Sequence, residues 1–77
     1  MPKLQILSVE GSHEVEIDGD VTGTARKIIG PTVSVTVKDE RLVMLVQKNG
    51  AGVNPLASSI AGRMITGNAI LCERRFL

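Results

Sequence analysis

Aromatic side chains are nearly missing: Phe76 is the only one, with no Trp or Tyr in 77 residues. Proteins that bind single-stranded nucleic acid stack bases on aromatic platforms, and this chain has none to offer. An excess of either charge is missing too, with nine Lys and Arg against eight Asp and Glu, net +1. A phosphate-backbone binder carries a basic footprint, so DNA binding ranks last among the functions considered. Cys72 is alone, which excludes an intramolecular disulfide and a thiolate zinc cluster and fits a reducing compartment. No stretch approaches the roughly 18 apolar residues of a membrane span. The opening MPKLQILSVEGSHE has too short an apolar run, and too early a charge, for a signal peptide. These absences predict a soluble cytoplasmic protein with no membrane partner.

What is present is aliphatic. Hydrophobic residues make up 43% of the chain, enough for one domain over residues 1–77, near the lower limit for a self-sufficient core. Association of copies is one common remedy for so small a core, and a homo-oligomer is expected.

Leu4 to Val9 and Ser12 to Ile17 read as strands joined at Glu10-Gly11, the second alternating with period two. In it His13, Val15 and Ile17 share one face, Glu14 and Glu16 the other. Val21, Ala25, Ile28 and Ile29 then form one helical stripe, ended by Gly30-Pro31. Gly23 inside that helix costs about 1 kcal/mol relative to Ala. Thr32 to Val37 alternates again, and Lys38 to Arg41 is a polar turn. Leu42 to Val46 is apolar at every position, the mark of a strand covered on both faces or placed centrally. Asn68 to Glu73 is the last strand.

Between the fourth and last strands lies Gln47 to Ile65, QKNGAGVNPLASSIAGRMI, the one long break in the pattern. Asn54 is placed to cap a short helix that begins at Pro55, runs to about Ala61 and closes at Gly62. The order β-β-α-β-β-(short α)-β predicts an α+β fold with a small mixed sheet of about five strands and one main helix. It is β-grasp-like, with the first and last strands paired in the middle. Another α+β sheet of the same elements is the rival.

EIDGD at Glu16 to Asp20, the helix ending KIIG at Lys27 to Gly30, the centre LVMLVQKNGAGVNPLASSIAG and the stretch MITGNAIL resemble a small domain family of phages and mobile elements. The likeness spans about Val15 to Leu71. It departs from the family pattern between Pro55 and Ile65, which is compressed and lacks acidic residues. The family has no established catalytic residues, so the resemblance transfers none. It implies a lifestyle instead: small phage proteins often counter host defence, and several sequester nucleotide immune signals.

The glycine-rich break also carries the candidate chemistry. Asn49, Gly50, Gly52 and Asn54 can form a phosphate cradle, because glycine lets backbone N–H groups approach a ligand closely. Lys48 and Arg63 would neutralise the anion, and Ser58 or Ser59 would bond its oxygens. Read without function, the same segment is a flexible strand-to-helix connection, and the Walker pattern is absent. Asn68 either caps a turn or reads a base edge. His13 reads as structural, Glu14 and Glu16 as a solvated face, Cys72 as a small core residue, and Arg74-Arg75 as a solvated pair.

No acid, base and nucleophile come together in this pattern, so a non-enzymatic binding protein is expected, with no cofactor and no metal. The primary expectation is a homo-oligomer that captures an anionic ligand such as a nucleotide, through Lys48, Asn49, Gly50, Asn54, Ser58 and Arg63. The alternative is a ubiquitin-like module that docks a host protein through an apolar sheet surface supplied by Leu42 to Val46.

Overall fold

The computed structural model describes residues 2–77. Its strands are β1 (Lys3–Ser8), β2 (Gly11–Glu16), β3 (Thr32–Thr36), β4 (Leu42–Gln47) and β5 (Ala69–Glu73). Its helices are α1 (Val21–Ile29) and α2 (Pro55–Ala61), and a single 3-10 turn, Arg74–Phe76, follows β5. The α+β class, the five-stranded sheet and the one main helix are as expected. The sheet order is β2-β1-β5-β4-β3, so the first and last strands are neighbours and β5 is central. All four pairings run antiparallel.

Two long connections give the molecule its layers. α1 carries the chain from one sheet edge, β2, to the other, β3, across one face. Its stripe of Val21, Ala25 and Ile29 packs on Leu4, Ile6, Val43, Leu45, Ile70 and Cys72. The segment 48–68 leaves β4 and returns to its antiparallel neighbour β5 over the opposite face. There Ala57 and Ile65 pack on Leu7, Val37, Met44, Val46, Ala69 and Leu71. Val43 to Val46 and Ala69 to Cys72 are therefore buried on both faces, which is why β4 is apolar without alternation.

Local sequence sets the helix ends. Asp20 Oδ2 accepts from Gly23 N at 3.0 Å, and a Cβ on Gly23 would stand 2.6 Å from that same oxygen. The glycine that weakens α1 thus makes room for its cap. Gly30 closes α1 with φ 83° and donates to Arg26 O at 2.8 Å. Gly62 closes α2 in the left-handed region, φ 72°, ψ 24°.

Candidate functional site

The segment 48–68 is tied down by two amide side chains. Asn54 is fully buried. Its Nδ2 donates to Leu7 O and to Gly67 O, both at 2.9 Å, and its Oδ1 accepts from Ala57 N at 3.1 Å. One residue therefore caps α2, fixes α2 to β1 and fixes the departing chain to the returning one. Gln47 does similar work at the end of β4. Its Nε2 donates to Ile29 O at 2.9 Å and its Oε1 accepts from Asn68 N at 2.9 Å, which joins the end of α1 to the start of β5. Both amides are short, planar donor–acceptor groups, suited to bridging backbone groups where no ladder runs.

The departing and returning chains form a short ladder of their own. Asn54 N donates to Ile65 O at 2.8 Å and Gly67 N to Gly52 O at 2.9 Å, around a Val53–Thr66 bridge. Beside it the two strands of chain cross at Gly50 and Gly67. A Cβ on Gly50 would stand 2.6 Å from Thr66 O, and one on Gly67 2.5 Å from Gly50 Cα and from Gln47 Oε1. Gly67 also has φ 78°. Close backbone approach is what these glycines supply, and the partner is the chain itself.

The residues expected to hold an anion consequently do not converge. Asn54 has its acceptor and both donors engaged internally. Ser58 Oγ accepts from Ile65 N at 2.8 Å and lies 3.4 Å from Ile65 O, closing the turn after α2. Gly50 is half-buried against Thr66 and Gly67. Lys48, Asn49 and Arg63 are exposed. Lys48 and Asn49 border a cleft of about 140 Å³ together with Ile29, Pro31 and Gln47. Arg63 follows the α2 C-cap, and a Cβ on that cap would be 3.7 Å from Lys38 Cε. No hydrogen bond or ion pair links Lys48, Asn49 and Arg63 among the described residues. α2 itself offers no open N-terminus, since Asn54 occupies it.

The remaining candidates are accounted for by packing or solvent. Cys72 is buried, with Sγ 3.7 Å from Val43 O, and burial pushes its thiol above the ordinary value, away from the nucleophilic thiolate. His13 pairs with Ile6 in register yet stands exposed on the edge strand β2. Lys3 Nζ lies 3.9 Å from both Glu14 and Glu16. Arg75 pairs with Glu73 at 2.7 Å and lies 4.7 Å over the Phe76 ring. Arg41 pairs with Asp39 at 3.0 Å and holds its carboxyl below the usual carboxylate range. Among the described residues no His, Cys, Asp and Glu group is arranged to hold a metal, and no helix is long and apolar enough to cross a membrane.

The apolar docking patch expected of β4 is absent, since Val43 to Val46 are buried inside the sheet. The sheet edges are where open backbone remains, and they differ. β2, GSHEVE, carries His13, Glu14 and Glu16. β3, TVSVT, carries no charge, no proline and no glycine, and Val33 is 46% exposed. Charged residues are a common device against strand addition, and β3 lacks it.

The hydrogen-bond alternation shows which groups of β3 are open. Lys48 N donates to Pro31 O at 2.9 Å, and Thr32, Val33, Ser34, Val35 and Thr36 face Gln47, Val46, Leu45, Met44 and Val43. In an antiparallel ladder the bonded pairs alternate. Val33 and Val35 therefore bond to β4, while the N–H and C=O groups of Thr32, Ser34 and Thr36 point outward. Sequence reasoning missed this edge and the role of Gln47; the uncharged Thr/Val alternation of residues 32–36 was the signal for the first. Comparison with protein-family models, with curated proteins and with solved structures returns no match.

Proposed function

We propose that this protein is a non-enzymatic binding module that takes an extended protein segment alongside β3, as a sixth strand. The observation that carries the reading is the contrast between the two edges: β2 is guarded by charge, and β3 presents unguarded backbone beside a half-exposed valine. Main-chain hydrogen bonds supply affinity in this mode, and alternate side chains supply selectivity. The non-enzymatic part of the reading is supported by the one thiol, which is buried, with its pKa raised by that burial.

The test is selection from a displayed library of extended peptides, followed by mapping of amide chemical shifts. Binders should perturb Thr32, Ser34 and Thr36, and Ser34→Pro should abolish binding by removing an outward N–H without touching the β4 ladder. Binders that map elsewhere, or that ignore Ser34→Pro, overturn the reading.

Anion capture is the second reading, supported by Lys48 and Asn49 at the mouth of the 140 Å³ cleft. Ligand sites of drug-like size run from about 300 Å³ upward. A nucleotide held here would need a second subunit to complete its walls, and the cleft by itself suits one oxyanion group.

A further inference from the structure

We infer that the segment received by β3 is the β3 of a second copy, and that the chain forms a two-fold dimer centred on Ser34. The inference rests on the reading of β3 as the open edge and names its occupant.

Residues 32–36 read the same in both directions, Thr-Val-Ser-Val-Thr. Laid antiparallel on itself about Ser34, the strand pairs Ser34 with Ser34, Thr32 with Thr36, and Val33 with Val35. The outward groups obey the same symmetry, since Thr32, Ser34 and Thr36 are the residues with open N–H and C=O. The Ser34 pair and the Thr32–Thr36 pairs would each exchange both N–H···O bonds. The Val33–Val35 pairs then fall at the non-bonded positions, where side chains come closest. Both valines lie on the α2 face, because their β4 partners Val46 and Met44 pack there. The half-exposed Val33 of each copy thus meets an aliphatic neighbour.

Charge and closure favour this pairing over the alternatives. β3 has no charge to repel a copy of itself, whereas self-pairing of β2 would gather its glutamates. A β2-to-β3 contact would be head-to-tail and leave open edges at both ends, the route to filaments. The two-fold β3 pairing closes on itself and leaves only the charge-guarded β2 edges outside. An interface built on one short strand belongs to the small, transient class, so the dimer is concentration-dependent.

Sedimentation equilibrium from about 10 to about 500 µM tests this with wild type, Ser34→Lys, Ser34→Glu and an equal mixture of the two variants. Ser34 is exposed and its backbone lies outside the β4 ladder, so both variants should keep the wild-type circular dichroism and unfolding midpoint. Wild type should pass from monomer to dimer. Each variant alone should stay monomeric, because like charges meet at the two-fold, and the mixture should recover at least the wild-type association. Wild type that stays monomeric throughout, or variants that dimerise as well as wild type, overturn the dimer. In that case selected peptides that still map to Thr32, Ser34 and Thr36 leave the edge reading standing, and their absence removes both.

Discussion

The segment 48–68 and strand β3 have opposite appearances and opposite uses. The first is rich in Gly, Asn, Ser and cations, the composition of a ligand loop. Yet Asn54 and Ser58 are turned inward on the protein's own backbone, while Lys48, Asn49 and Arg63 stand exposed apart from them. The second is a plain run of Thr, Ser and Val, yet its backbone is the part left open. Composition reports which groups can bind something. Only topology decides whether the protein itself is already bound to them. A buried amide whose bonds are all made to its own chain is a structural clamp, however site-like its neighbours.

The comparison can be broken at several points. Asn54→Ala should have the largest effect. It strips the cap of α2, cuts the bond from the segment to Leu7 O of β1, and leaves the Gly67 carbonyl and the Ala57 N–H without these partners. That should cost about 3 kcal/mol or more in urea unfolding. A loss under about 1 kcal/mol would mean the segment is not clamped. Gly67→Ala should cost about 2–4 kcal/mol, since positive φ and a crossing with Gly50 oppose a Cβ together. A tolerated alanine there would mean the crossing can open.

Next comes a pH effect in the sheet that both regions share. The Cys72 thiol is raised by burial, so the unfolded chain releases this proton at lower pH than the folded one. Its stabilising contribution is present below the unfolded value, near pH 8.5, and is lost as pH rises from there through the higher folded value. Stability should therefore decline above about pH 8.5, and Cys72→Ala should flatten that slope while lowering stability at neutral pH. An unchanged slope would contradict the assignment.

The smallest effects belong to the residues first expected to bind. Lys48→Ala with Arg63→Ala should change stability by less than about 0.5 kcal/mol, as exposed side chains without partners do. The same pair sharpens the functional contrast: if it abolishes binding of phosphate or nucleotides measured by calorimetry, the anion reading gains what the edge reading loses.

Much of this was legible locally. The bounds of α1 and α2 follow from Asp20, Gly30-Pro31, Asn54-Pro55 and Gly62, because caps act within a turn of the residues that carry them. The five apolar residues from Leu42 announced a strand either covered on both faces or placed centrally, and Val43 to Val46 are buried. What was not legible depends on partners far along the chain. Asn54 signals a cap, but its bond to Leu7 O spans 47 residues. Gln47 looks like a loop residue until Asn68 and Ile29 meet it. The alternation of Thr32 to Val37 predicts inward valines, and Val33 is half-exposed on an edge strand that the alternation alone does not identify. His13 was placed on the face of Val15 and Ile17, and the register keeps it opposite Ile6; its exposure on the edge strand is not written in the alternation.

The most direct test of the central claim is amide hydrogen exchange followed by NMR in dilute solution, with and without phosphate and nucleotides. The clamp predicts that Asn54, Ala57, Ile65, Gly67 and Asn68 exchange only near the rate of global unfolding. It also predicts that Thr32, Ser34 and Thr36 exchange quickly, with neither set changed by anions. Fast exchange across 48–68 that slows when an anion is added would contradict it, and would return the segment to the role of a ligand loop.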